Sequence, residues 1–286
     1  MRIQLSWFNA QLAQRAQAIA AGELTPAVPR DAATVIVVRD APGGVEVLML
    51  RRPDSMRFAA GAYVFPGGSV DPADAQTPLG WDGTDEAVLG QALGAPADLT
   101  RALVGAAVRE TWEEAGLLVA ARPVRERAAR PDGQAGQPAG LSWDEDRAAL
   151  AAGQETLAEV LRRRGIEVQV QALTFCARWI TPAAEPRRFD ARFFAAALPD
   201  GQSESGPNAE ADHVAWIRPD AALDAARRGD MTLLPPTATT LAEFASAGGV
   251  ADVLGRPRDV VPVQPTLVSE DDEAWLEIPD HVAYPL

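Results

Sequence analysis

Lysine is absent from this chain. All 26 basic residues are arginine, set against 40 acidic ones, for a formal net charge of −14. Without lysine there is no lysine nucleophile and no Schiff base. The negative balance disfavours nucleic acid and anionic membrane as partners, because both repel an acidic surface. An anionic substrate would need a metal and a few local arginines to overcome that field. The single cysteine, Cys176, excludes an intrachain disulfide. It sits in the apolar, β-like run Leu173-Thr174-Phe175-Cys176-Ala177, where a buried structural thiol in a reducing, cytoplasmic protein is expected. No uninterrupted apolar run approaches the roughly 20 residues of a membrane span. Met1 to Leu5 lack the apolar core and small-residue cleavage site of a signal peptide.

What remains is ordinary for a soluble globular protein, at 47% hydrophobic and 23% charged residues. A length of 286 residues suffices for a sizeable core, and a single domain over 1–286 is expected. Residues 5–22, with a stripe of Leu5, Phe8, Leu12 and Ile19, are expected as an amphipathic helix. Thr34-Val35-Ile36-Val37-Val38 marks a buried strand, and a turn at Pro42-Gly43-Gly44 joins it to a second strand over 45–51. A short strand at 62–65 runs into Pro66-Gly67-Gly68. Residues 71–98 form an insertion with one short helix. A long helix is expected over 99–115, with Asp98 or Thr100 as cap and Gly116 as stop. Beyond it come a strand at 117–121, a loop over 122–142 and one helix over 144–164. Strands are expected at 168–180, 189–198 and 212–217, and helices at 219–228 and 237–247. The tail over 256–286 is expected to pack as an extension with short strands. Alternating strands and helices point to an α/β fold, a mixed sheet with helices on both faces.

The densest chemistry lies in Arg109-Glu110-Thr111-Trp112-Glu113-Glu114-Ala115-Gly116-Leu117. On a helix, positions i, i+3 and i+4 share a side, so Glu110, Glu113 and Glu114 crowd one patch. Val104, Val108, Thr111, Trp112 and Ala115 form the opposite, apolar face. Carboxylates this close repel unless a cation neutralises them, and hard divalent ions take such oxygen ligands. Phe65-Pro66-Gly67-Gly68 alone marks only a turn. Together with the acidic run it resembles the Nudix hydrolase family, whose box reads Gly, five residues, Glu, seven residues, Arg-Glu-U-x-Glu-Glu-x-Gly-U, with U bulky and apolar. The match falls on Gly68, Arg109, Glu110, Glu113, Glu114, Gly116 and Leu117. Thr111 replaces the first U, Asp74 stands at the early Glu, and residues 75–108 replace the seven-residue spacer.

Further segments resemble the branch that contains the peroxisomal acyl-coenzyme A diphosphatase. They are Arg51-Arg52-Pro53, Met56-Arg57-Phe58, Trp179-Ile180-Thr181-Pro182, Arg187-Arg188-Phe189-Asp190 and Leu234-Pro235-Pro236-Thr237. The resemblance implies a Nudix-like α/β/α sandwich with its core over 30–235, insertions near 71–98 and 122–166, and a helix and extension over 236–286. It implies hydrolysis of a nucleoside diphosphate linked to another moiety, with coenzyme A or acyl-CoA as leading substrate. Mg²⁺ or Mn²⁺ would be held by Glu110, Glu113 and Glu114, with a backbone carbonyl from Gly68. In such a site Glu113 would be a further ligand or the group that orients the attacking water, and Arg109 would orient the carboxylates. Glu210 is the candidate general base, with a solvated loop carboxylate as the alternative. Arg57, Arg187 and Arg188 are candidates for phosphate recognition, with plain surface arginines as the alternative. His213 and His281 are expected to be structural, as is Arg162-Arg163-Arg164. Trp112 and Trp179 are expected in the core, with adenine stacking as the alternative. The rival functions are hydrolysis of ADP-ribose, NADH or a nucleotide sugar, and non-catalytic nucleotide binding. A homodimer is expected by analogy of fold alone.

Overall fold

A run of β-branched residues suits a strand buried on both faces. In the computed structural model this run is the centre of β2 (Arg30–Ala41), where Val35, Ile36, Val37 and Val38 are fully buried. The structure describes residues 1–4, 10–56, 59–124, 142–206, 211–270 and 273–286. Pro42 and Gly43 turn the chain, and β3 (Gly44–Arg51) returns antiparallel with Val38 opposite Val47. Gly43 adopts φ 82°, a conformation that strains a side chain-bearing residue.

The sheet grows outward from this hairpin. β10 (Phe189–Ala197) lies parallel to β2, and β9 (Thr174–Ile180) lies antiparallel to β10. β4 (Ala62–Val64) pairs antiparallel with β3, and β12 (Thr232–Leu233) runs parallel to β4. β11 (His213–Ile217) adds to β3, and β5 (Gly67–Ser69) adds to β2 opposite Ala32 to Thr34. Alternation along β2 sends Ala33, Val35 and Val37 into one core and Ile36 and Val38 into the other. The first core lies under α3 (Ala97–Ala115). The second lies under α6 (Pro219–Arg227), α7 (Pro235–Phe244) and α8 (Val250–Gly255). Helices thus cover both faces of a mixed sheet, the expected α/β/α sandwich.

Several elements differ from expectation. The stretch over 144–164 is two helices, α4 (Trp143–Ala151) and α5 (Leu157–Arg164). Gly153 breaks it at φ 66°, and Thr156 opens the second helix by exchanging hydrogen bonds with Glu159. At α5's end, Arg163 and Arg164 each reach the fully buried Asp146 at 2.6 Å, so this arginine run is structural. Leu117, Leu118 and Val119 are buried but form no strand. The Gln202 side chain serves the backbone N–H and carbonyl of Leu118 at 2.9 and 3.3 Å, in place of a ladder. The strand there is β7 (Ala121–Pro123). Pro96, not Asp98 or Thr100, precedes α3, with no side-chain cap.

The two insertions meet. β6 (Leu79–Gly80) from the first and β7 from the second flank β8 (Ile166–Gln169). The first insertion also carries α2 (Glu86–Leu93), close to the expected short helix. At the chain's ends, β1 (Arg2–Gln4) pairs with β14 (Glu273–Glu277), which pairs with β13 (Thr266–Glu270). Of the expected N-terminal helix, the described part is α1 (Ala10–Ala20), with Leu12 buried. Among the described residues no helix is long and apolar enough to cross a membrane.

Candidate active site

The apolar face of α3 decides where its charges go. Val104, Val108, Thr111 and Ala115 are fully buried and Trp112 nearly so, which turns Arg109, Glu110, Glu113 and Glu114 to the other side. Thr111 sits where a bulky apolar residue was expected because its hydroxyl donates to the carbonyl of Ala107 at 2.7 Å and stays satisfied. Gly116 ends the helix at φ 73°.

One turn before Arg109, Gly105 lets another segment press onto the helix. A Cβ there would strike the carbonyl oxygen of Asp74 and lie 2.7 Å from the Thr77 hydroxyl. The short 3₁₀ turn Pro72–Gln76 packs into this gap. Asp74, 2% exposed, accepts from the N–H of Asp71 at 2.8 Å and is aimed at Arg109. Arg109 donates to both Asp74 oxygens at 2.8 and 3.0 Å, to Glu110 at 2.9 Å, to Glu113 at 3.3 Å and to the Ser69 carbonyl at 2.9 Å. Burial works against the guanidinium charge, but the bond to Asp74 and the charges of Glu110, Asp74 and Glu113 outweigh it. The arginine is held above its ordinary pKa.

The glycine loop closes the arrangement. Gly67 donates its N–H to Glu114 at 2.9 Å. A Cβ on Gly68 would lie 2.6 Å from the Glu110 carboxyl carbon, so the missing side chain is what admits that carboxylate. Three glutamates thus gather near the C-terminal end of α3, where the helix dipole is already negative and no basic residue occupies the last turn. One guanidinium carries one positive charge against the three carboxylates it touches. Among the described residues no three acidic, histidine or cysteine side chains converge as a ready-made metal cluster. Glu110 and Glu113 turn towards Arg109, and Glu114 towards Gly67.

Behind Gly67 and Gly68 lies a cavity of about 340 Å³ on the opposite face of the sheet. Phe65, Trp179, Phe193, Pro236 and Leu276 make it largely apolar, and Arg52 and Glu185 are among its polar groups. The two glycines are therefore a shared wall between the carboxylate patch and the cavity.

Of the residues singled out from sequence, Gly68, Arg109, Glu110, Glu113 and Glu114 come together. Arg57 and Glu210 lie outside the described residues. Arg187 is exposed. Arg188 is buried and donates to the carbonyls of Thr181 and Ala27 at 3.0 and 2.7 Å, and burial lowers its pKa. The guanidinium of Arg188 therefore braces the backbone, and neither Arg187 nor Arg188 lines the cavity. His213 is exposed, edge-on to Tyr63 at 6.3 Å. Burial pushes the Cys176 thiol up to about 12, so it is no nucleophile at neutral pH. Trp112 is buried in the core and packs edge-on against the exposed Trp143, whereas Trp179 is buried on the cavity wall. Sequence reasoning left out Asp74, Arg52 and Glu185 as site residues. For Asp74 the signal was its place six residues after Gly68. Glu185 gave none.

Comparison with known proteins gives the family. A family model described as the NUDT19 Nudix domain matches residues 76–244. The chain is 27% identical over 265 residues to a Gallus gallus protein named acyl-coenzyme A diphosphatase NUDT19, covering 78% of this chain and 70% of that one. It is 29% identical over 197 residues to a Caenorhabditis elegans protein named putative nudix hydrolase 7, covering 66% of this chain and 52% of that one. Thus it spans about half the length of the nematode relative. Among solved structures, a NUDIX hydrolase from Alicyclobacillus acidocaldarius superposes with a TM-score of 0.61 at 30% identity, covering 80% of this chain and 96% of that one. The chain belongs to the Nudix hydrolase family.

Proposed function

We propose that this hydrolase cleaves the pyrophosphate of coenzyme A or its acyl thioesters, using Mg²⁺ or Mn²⁺. Water adds to one phosphorus and the bridging P–O bond breaks, giving 3′,5′-ADP and a 4′-phosphopantetheine species. The observation that carries the proposal is the shared wall: Gly67 and Gly68 touch the carboxylates on one side and line the apolar cavity on the other. Among the described strands β5 pairs only with β2, so a pyrophosphate lying across its open edge would meet the carboxylates and send one arm round that edge into the cavity. Such walls suit a nucleobase or a pantetheine arm better than a sugar, whose hydroxyls would be left unpaired. The chicken relative's name supports the same substrate.

The donor set fits a hard divalent cation, since it offers only carboxylate and backbone oxygens. Glu110, Glu113 and Glu114, with the Gly68 carbonyl, would hold the ion. When bound, it supplies charge screening for the pyrophosphate and a lowered pKa for the attacking water. The protein's own part is positional. Arg109 fixes Glu110 and Glu113, the Gly67 N–H fixes Glu114, and Glu113 is the proposed water-orienting group. Glu210 is the proposed proton acceptor, on its place in the sequence. Arg52 and Arg57 are proposed to meet substrate phosphates, and exposed Arg187 a phosphate outside the cavity. We also propose that residues 1–286 form one domain, because Pro265 and Leu276 of the extension line the same cavity as the core strands. The single buried Cys176 accords with a reducing, cytoplasmic setting.

The test is parallel incubation with Mg²⁺ and coenzyme A, ADP-ribose, NADH or a nucleotide sugar, with products separated chromatographically. Coenzyme A should give the highest kcat/KM and yield 3′,5′-ADP. Turnover of ADP-ribose without turnover of coenzyme A would replace the substrate and leave the reaction class. Nucleotide binding without any turnover would favour a non-catalytic role.

A further inference from the structure

Among the described residues, three buried side-chain oxygens lack a hydrogen-bond partner: Thr77 Oγ1, Thr239 Oγ1 and Glu185 Oε1. Of these three residues only Glu185 lines the cavity, and only Glu185 is ionisable. The residue is 8% exposed. Its backbone is fixed, with the N–H of Glu185 donating to the Pro182 carbonyl at 3.1 Å. Arg15 donates its Nε to the neighbouring Ala184 carbonyl at 2.8 Å and acts on Glu185 only as a nearby charge. Burial raises the pKa of the carboxyl, and Arg15 only partly offsets it. An unpartnered oxygen in an apolar wall costs stability, and leucine or methionine would fill the same place without that cost. Its presence in that wall is explained if a ligand completes the missing bond.

We propose that Glu185 is a specificity-determining residue, whose Oε1 accepts a hydrogen bond from a planar N–H group of the substrate arm that enters the cavity. This rests on reading the cavity as the place of the non-phosphate arm. Two groups of a coenzyme A-like substrate carry that chemistry: the 6-amine of the purine and the amides of the pantetheine chain. The walls favour both, since Trp179, Pro235 and Pro236 offer apolar surface for a flat group and leave Glu185 to read its polar edge. Glu185 acts on binding and stands apart from the three glutamates of α3, so its loss should appear in KM and spare kcat.

The experiment compares full-length wild type, Glu185→Leu and Glu185→Gln on the best substrate that wild type turns over. Leucine should raise KM roughly tenfold or more, because a buried bond to the ligand is lost, while kcat stays within about threefold. It should also raise the Tm of the ligand-free protein, which a structural role for Glu185 would not do. Glutamine keeps an acceptor oxygen and should restore KM to within about threefold of wild type. If Glu185→Leu does not fold, Glu185→Met provides the same comparison. A coenzyme A analogue bearing hydrogen in place of the purine 6-amine separates the two donors. If the leucine penalty vanishes with it, the amine is the partner; if it persists, an amide is. An unchanged KM in Glu185→Leu overturns the proposal, as does a glutamine variant as impaired as the leucine one. Should wild type cleave ADP-ribose and not coenzyme A, the coenzyme A reading fails by itself. The Glu185 comparison then stands on ADP-ribose, where the purine amine is the donor.

Discussion

Replacing Asp74 by alanine is the sharpest test of how the site is built. Asp74 is 2% exposed and makes two hydrogen bonds to Arg109, whose side chain is 14% exposed. Breaking a buried ion pair by removing one partner costs about 3–5 kcal/mol, because the other charge is left behind. Arg109 keeps Glu110, Glu113 and the Ser69 carbonyl, so the low end applies, about 3 kcal/mol. The bond from the Asp71 N–H is lost as well, which loosens the turn over 72–76. At about 2–4 °C per kcal/mol for a chain of this class, Tm should fall by on the order of 6–12 °C. Asp74→Asn keeps the shape and one acceptor and should cost about 1–2 kcal/mol. Denaturant unfolding and a thermal melt measure both. Activity should fall further than stability explains, because Arg109 would swing onto Glu110 and Glu113. An Asp74→Ala protein within about 0.5 kcal/mol of wild type and fully active would refute the view that this pair builds the site.

Gly68→Ala should lose roughly tenfold or more in turnover with a stability cost of about 1 kcal/mol, because the new Cβ meets the movable Glu110 carboxylate. Gly67→Ala meets the Ala33 backbone at 2.5 Å instead, so its melting temperature should fall by more than that of Gly68→Ala. Cys176, pushed up to about 12 from an ordinary 9.0, should resist iodoacetamide in the native state and react on denaturation. The sign of its linkage follows: the raised folded pKa gives stability that is full below the unfolded value and is lost as pH rises towards about 12. Cys176→Ala should therefore weaken the alkaline loss of stability above about pH 9. Chelation should abolish turnover, and added Mg²⁺ or Mn²⁺ should restore it; undiminished turnover in chelator would remove the metal from the account.

Local signals carried much of this architecture. The β-branched run of β2, the glycine turn after it and the apolar stripe of α3 each state their own conformation within a few residues. The acidic cluster was legible for the same reason, since helical spacing alone gathers Glu110, Glu113 and Glu114. Long-range facts were not legible. Nothing near Leu118 announces that Gln202 will take its backbone groups, or that β1 will pair with β14. Gly153 and Thr156 could have divided the helix over 144–164, but the alanine- and leucine-rich composition on either side masked them. Arg188 looked like a phosphate ligand because arginine suits phosphate, yet its partners are the carbonyls of Thr181 and Ala27. Glu185 follows two alanines in an unremarked turn, and only the folded structure shows that its oxygen is buried and unpartnered.

The central claim is that the carboxylates at the end of α3 are the centre of hydrolysis. Its most direct test is the rate of 3′,5′-ADP release from coenzyme A in Mg²⁺ by wild type and Glu114→Gln, with melting curves for both. The account predicts release by wild type, a loss of roughly hundredfold or more in the variant, and a melting temperature within a few degrees of wild type. A folded Glu114→Gln protein that hydrolyses coenzyme A at the wild-type rate would contradict it.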